Sequence, residues 1–179
     1  CNSIPAKLVV NLLPATKISL SSVCSNVNSI RRWVIKNSNT IPVQVKYLIP
    51  GSTPLVEGFI TVPPSISGTY FETQAQAGNY CEIKLCGKTV STSNADNSLC
   101  KIYGPETVCA GETKEFTFTR IPGSTYSFNI TGGVLFNENG NNFSVTFGNS
   151  ASAKITITET NPLFINSPEN KLEFTINVK

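Results

Sequence analysis

Residues 104–133 read GPETVCAGETKEFTFTRIPGSTYSFNITGG, and they spell out two strands and the turn between them. In residues 114–120, Phe116 and Phe118 fall on one face and Thr117 and Thr119 on the other, the period of two that marks a strand with one buried side. Pro122 fixes φ and Gly123 tolerates a positive one, so residues 121–125 predict a hairpin-type reversal. Beyond it Tyr126, Phe128 and Ile130 again share a face, and Gly132 with Gly133 ends the strand. The stretch therefore predicts a β-sandwich module with Phe128 as a buried anchor.

The same alternation runs on to the C-terminus. Phe143, Val145 and Phe147, then Ile155 and Ile157, then Leu172, Phe174, Ile176 and Val178 each supply one inner face, with turn residues between them. Burying such side chains stabilises by roughly 1.5 to 3 kcal/mol each, enough for a small core. Gly104 with Pro105, Val108 with Cys109, Gly111, Tyr126 two places before Phe128, and Gly132 with Gly133 carry a resemblance. In them, residues of about 100–179 resemble the PKD-like immunoglobulin-type domains repeated in secreted surface proteins of Bacteroidota, with Phe128 in place of the Trp of their YxW. The resemblance implies an immunoglobulin-like sandwich and a surface setting; its motifs are structural and imply no activity.

Upstream, residues 6–13 and 17–23 alternate apolar and polar positions on either side of Pro14, and residues 29–37 place Trp33 and Ile35 on one face with Arg32 and Lys36 on the other. Trp33 reads as a core anchor rather than a sugar platform. Val43, Val45 and Tyr47 point inward in the next strand, Pro63 and Pro64 end the one after, and residues 80–90 fold over Gly87 as a hairpin. WVIKNSN at residues 33–39, ITVPP at 60–64 and the aromatic pair Tyr70 and Phe71 resemble a small Ig-like module of secreted bacterial proteins. Residues 91–98, STSNADNS, have the composition of a linker. The expected architecture is all-β: two tandem Ig-like β-sandwich domains, residues 1–98 and 99–179.

Six cysteines, no His and no CxxC pair argue against zinc and for an oxidising, extracellular compartment. Three internal disulfides with no free thiol are expected from Cys1, Cys24, Cys81, Cys86, Cys100 and Cys109. Cys81 faces inward with Ile83 and Leu85 while Cys86 points the other way, so those two do not suit a mutual bond. Cys24 could partner either, and Cys100 and Cys109 flank the Gly104 bend and could join across it. Cys1 admits a second reading, a lipidated N-terminal cysteine, which would leave an odd thiol count. No apolar run is long enough to span a bilayer, and the absence of Met suggests a processed chain or an excised segment.

The net charge of +3 divides into +4 up to Leu99, from eight basic and four acidic residues, and −1 beyond it, from six and seven. Arg31, Arg32, Lys36 and Lys46 read as a solvated strand face, since no aromatic-interleaved basic ridge accompanies them; no nucleic-acid partner is expected. With no His and Asp96 alone among aspartates, proton-transfer chemistry lacks its usual carriers. Glu112 and Glu115 are the nearest carboxylate pair, at a strand entrance with surface character. Residues 137–142, NENGNN, are the one calcium-like cluster, better read as a solvated hairpin turn. Neither an enzyme nor a cofactor nor a metal is expected.

Two binding readings remain. One is a structural or adhesive module, a repeat or subunit of a surface fibre or filament, whose partners are proteins, including copies of itself head to tail. In it Leu8, Val10 and Leu12 form either a surplus strand given to a neighbour or the first strand of their own domain. The other is an accessory carbohydrate-binding module contacting surface glycans through Tyr103, Phe136 and Phe164, residues that inter-strand packing or an interdomain contact would equally explain.

Overall fold

The computed structural model describes residues 17–164 and 169–179. Cys1, Leu8, Val10 and Leu12 lie outside the described residues.

The first seven strands are β1 (Ile18–Val23), β2 (Ile30–Asn37), β3 (Val43–Ile49), β4 (Val56–Val62), β5 (Ser65–Gln74), β6 (Tyr80–Leu85) and β7 (Lys88–Asn94). They form a three-stranded sheet in the order β1-β2-β5 and a four-stranded sheet in the order β4-β3-β6-β7. Eight more follow: β8 (Ile102–Tyr103), β9 (Thr107–Val108), β10 (Thr113–Phe118), β11 (Thr125–Thr131), β12 (Gly133–Asn139), β13 (Asn142–Phe147), β14 (Ser152–Thr160) and β15 (Glu169–Val178). These build two four-stranded sheets, β12-β13-β10-β8 and β11-β14-β15-β9. Every pairing between these strands is antiparallel except that of β9 with β15.

Each pair of sheets packs on a separate core. The first joins Ile18, Leu20, Trp33, Ile35 and Phe71 of one sheet to Val43, Val45, Ile49, Cys81 and Ile83 of the other. Trp33 is fully buried as an anchor, and its indole N–H donates to Thr73 Oγ1 at 2.9 Å, so the polar end of the ring is satisfied inside the core. The second is aromatic: Phe116 stacks on Phe143 at 5.5 Å and meets Phe147 and Phe174 edge-on at 6.0 and 5.9 Å. Phe128, expected to be fully buried, is half-buried at the flank of this core, 5.1 Å from Phe143.

The reversal after Phe118 is not a hairpin. β10 and β11 belong to different sheets, so Pro122 and Gly123 carry the chain across the sandwich, and Phe118 meets Tyr126 and Phe128 edge-on through the core. Alternation shows which side of a strand is buried and is silent on whether the next strand lies beside it or opposite. Two glycines make comparable crossings possible. A Cβ on Gly104, between β8 and β9, would lie 2.1 Å from the Phe116 ring, and one on Gly132, at φ +74° between β11 and β12, would lie 2.6 Å from the Ser152 carbonyl.

The polar run 91–98 is only partly a connection. Ser91, Thr92, Ser93 and Asn94 pair with Ile83, Glu82, Cys81 and Tyr80 in β7, and the chain passes from one set of sheets to the other between Asn94 and Ile102. Small polar residues suit an exposed strand as well as a linker, which composition alone does not separate. The turns after β6 and β12 are hairpins, with Cys86 and Gly87 at φ 49° and 78°, and with Gly140 at φ 61° opening the turn in the Asn-rich run.

The cysteines depart from the expected scheme. Cys24 bonds Cys100, with Cα atoms 5.0 Å apart and a sequence separation of 76. Cys81, Cys86 and Cys109 are free thiols. Backbone register decides this: Cys100 N–H donates to the Ser25 carbonyl at 3.0 Å and Ser25 N–H to the Ser98 carbonyl at 3.2 Å, bringing the end of β1 alongside the chain entering β8. Cys81 is sealed in the first core, and Cys86 and Cys109 sit on exposed turns.

Candidate functional site

β2 is buried on both faces. Trp33 and Ile35 face the first core, while Arg32 and Val34 face outward, where the second sandwich covers them. Val34, Tyr70 and Ile121 form a small apolar cluster there, flanked by Val23 and Phe164. The reading of Arg32 as part of a solvated face is thus corrected: it is 2% exposed. Arg31 is partly buried and bonds Asn79 Oδ1 at 2.7 Å, Lys36 is exposed, and Lys46 pairs with Glu57 at 2.8 Å near the surface.

Arg32 bridges the two sandwiches through a carboxylate on each side. Its Nε lies 3.3 Å from Glu72 Oε1 on the neighbouring strand β5, and its Nη1 lies 3.2 Å from Glu159 Oε2 near the end of β14. The guanidinium sits over the Phe164 ring at 4.7 Å and the Tyr70 ring at 5.9 Å, and the two rings meet edge-on. Tyr70 Oη donates to Glu72 Oε1. Glu159 Oε1 accepts from Ser124 Oγ at 2.8 Å and Tyr126 Oη at 3.0 Å. Asn161 Nδ2 donates to Ser124 Oγ at 2.9 Å, and Tyr126 Oη accepts the Ile121 N–H at 2.6 Å.

Among the described residues one cation faces these two carboxylates, and hydroxyl donors share their negative charge. Burial, foremost, pushes the Tyr70 phenol well above its ordinary range; the Arg32 charge opposes this, while Glu72, through its hydrogen bond and charge, and the Glu159 charge reinforce it. The Tyr126 phenol is also raised, again by burial first. Both phenols therefore stay protonated and keep donating. Such a network holds a joint in one geometry, because removing any member strands a buried charge.

Part of this was readable. Ala153, Ile155, Ile157 and Glu159 share the inward face of β14, so the alternation itself places a Glu at a buried position. Ile30 and Val34 flank Arg32 on its face of β2, a sign that this face is covered, and Glu72 lies directly across from Arg32 in the ladder. The partnership of Arg32 with Glu159, 127 residues apart, has no sequence signal.

The aromatic platform does not assemble. Phe164 is taken up by the joint, whereas Tyr103 is 59% and Phe136 73% exposed. Those two sit on β8 and β12, the opposite edges of one sheet, about 14 Å apart at ordinary strand spacing. Glu112 and Glu115 do not form a working pair: Glu112 Oε2 accepts the Cys109 N–H at 2.9 Å and pairs with Lys114 at 3.3 Å through its other oxygen. That N–H, then Lys114, holds the Glu112 carboxyl below the usual range, the mark of a turn cap. Among the described residues no group of three or more His, Cys, Asp or Glu side chains could hold a metal, and no helix is long and apolar enough to cross a membrane.

The gap between the β4 and β5 edges is different in character. Phe59, Ile60, Thr69, Tyr70, Phe71, Glu72 and Leu163 line a mostly apolar groove of about 310 Å³ there. No protein-family model and no curated protein matches the chain.

Proposed function

We propose that this chain is a non-catalytic extracellular structural or adhesive module, a repeat or subunit of a surface fibre or filament. The observation that carries the reading is the joint: Arg32 held between Glu72 and Glu159, with the Cys24–Cys100 bond as a second, covalent tie. A strut that transmits load needs adjoining sandwiches that do not pivot, and a buried charge network with a covalent staple supplies that. The disulfide suits an oxidising, extracellular setting. The resemblance of residues 100–179 to PKD-like modules points the same way.

An accessory carbohydrate-binding module is the alternative. Its support is the exposure of Tyr103 and Phe136, and their separation on opposite sheet edges tells against a common platform. Immunogold electron microscopy of the native surface, run beside a glycan array with the purified chain, separates the two. Label along fibres with a blank array is expected; saturable binding to one glycan class with no labelled fibre would overturn the structural reading.

A further inference from the structure

The Cys24–Cys100 bond is flanked by two cavities. Cys100, with Asn26, Leu99, Lys101, Lys171 and Glu173, lines one of about 340 Å³, and Cys24, with Lys101 and Asp96, lines a second of about 250 Å³. The bonded cysteines are slightly exposed, 8% and 9%, whereas Cys81 is sealed at 0%. The larger cavity falls among small-molecule sites, which run from about 300 to 1,000 Å³. It is also cationic. Lys101 and Lys171 make no ion pair among the described residues, and the carboxylate of the lining, Glu173, is engaged by Lys154 at 2.8 Å. The smaller cavity sets Asp96 against Lys101 and so offers an anion no net attraction. Asn26, two residues beyond Cys24, adds unused hydrogen-bonding capacity: its amide N and O are enclosed and have no partner among the described residues.

We infer that the larger cavity is a thiol-exchange site, which admits a small anionic thiol to the Cys24–Cys100 bond while the chain stays folded. This site does not depend on the fibre reading. The thiolate of the incoming molecule attacks Cys100 Sγ while its carboxylate or sulfonate lies against Lys101 and Lys171. The bond to Cys24 breaks, Cys24 leaves as a thiolate that solvent protonates, and Cys100 is held in a mixed disulfide with the ligand. Lys101 lines both cavities, so its charge stabilises the entering and the leaving thiolate alike. A second molecule of the thiol then attacks the ligand's own sulfur, frees the Cys100 thiol and departs as the symmetrical disulfide. Two electrons from two thiols thereby open one protein bond. The end of β1 is then no longer tied covalently to the chain entering β8, and strands β2 to β7 lose their bypass, while the contacts of Arg32 with Glu72 and Glu159 remain. A thiol outside the chain would in this way set how much of the tandem bears tension.

The test uses the full chain with Cys1, Cys86 and Cys109 changed to Ser, leaving Cys24–Cys100 intact and Cys81 sealed. An anionic thiol, mercaptoethanesulfonate, and a cationic one, cysteamine, are each added in excess at low ionic strength, and bond opening is followed by acid quenching and mass spectrometry. Each rate per unit of thiolate is divided by that of the same thiol on an uncharged model disulfide. The rate on the folded chain is expected to rise in proportion to thiol concentration, to be unchanged by low urea, and to favour the anionic thiol by about fivefold. Lys101→Gln with Lys171→Gln, both at exposed positions, should abolish that preference while circular dichroism and the urea midpoint stay those of the parent. A rate that levels off with thiol concentration, or that climbs with urea as steeply as global unfolding does, overturns the inference, because the bond then opens only with the chain. Equal rates for the two thiols, or a preference that survives the loss of both lysines, overturns it by removing the cavity's charge from the exchange.

Discussion

The two sandwiches of this protein solve the same packing problem differently. The C-terminal one has four strands facing four, a core of interlocked Phe rings, and a parallel contact of β9 on β15 that closes its edge. Among the described residues the N-terminal one has three strands facing four, a core of one Trp, aliphatic side chains and Phe71, and a mostly apolar groove between the β4 and β5 edges. The N-terminal sandwich lends the outer face of its β1-β2-β5 sheet to the joint, where Arg32, Val34 and Tyr70 lie against Glu159, Ile121 and Phe164. Where the second sandwich covers this sheet, Arg32, Glu72 and Glu159 are drawn into burial, while the C-terminal sandwich keeps most of its other charges at the surface.

The strongest way to break this contrast is at the joint. Arg32→Met removes the Arg32 cation from between the buried Glu72 and Glu159, and a loss of about 3–5 kcal/mol in urea unfolding is expected. Adding Glu72→Gln and Glu159→Gln should restore much of it. If Arg32→Met unfolds like the parent, the joint is not what supports the N-terminal sandwich.

Anchor truncations probe the two cores separately. Trp33→Ala and Phe116→Ala, both at fully buried positions, should each cost about 3–5 kcal/mol. Phe128→Ala, at the half-buried flank, should cost only about 1–2 kcal/mol, since less apolar surface returns to water. Equal losses at Phe116 and Phe128 would mean that the aromatic core has no centre.

The covalent tie comes next. Replacing Cys24 and Cys100 by Ser should cost about 2–4 kcal/mol, through the freedom regained by the unfolded chain. Mechanically it has a sharper signature. Tension applied between Lys17 and Lys179 passes along β1 to Cys24 and across the bond to Cys100, bypassing strands β2 to β7. Under a reductant, single-molecule unfolding should therefore release about 270 Å more chain, 76 residues of separation at about 3.5 Å each. An unchanged extension would show that the bond does not shield the N-terminal sandwich.

The smallest effect concerns Cys81. Burial pushes its thiol up to about 12, from 9.0. A raised folded value means stability that is intact below about pH 9 and lost as pH climbs towards 12. At pH 8 a thiol reagent should modify Cys86 and Cys109 and spare Cys81 until the chain unfolds; rapid labelling of Cys81 would show that the first core opens readily.

Legibility followed the range of the interactions involved. Trp33 as an anchor, the inward run Phe143, Val145 and Phe147, and the hairpin over Gly87 depend on neighbours a few residues away, and alternation or turn chemistry reports them. The reversal after Phe118 was misread because a crossover and a hairpin share the same turn residues. Cys24 with Cys100 was missed because strand direction at each cysteine says nothing of which distant segment runs alongside, and Arg32 because a lone cation in an alternating strand looks solvated until something covers it.

By itself the sequence determined an all-β chain without His and the buried face of most strands, since these depend on residue type and a period of two. Only the tertiary structure decided which strands face each other, which cysteines meet, and that Arg32 ends up between Glu72 and Glu159. Those outcomes depend on contacts between segments up to 127 residues apart, whose pairing is selected by the free energy of the whole packed assembly and leaves no local pattern in the chain.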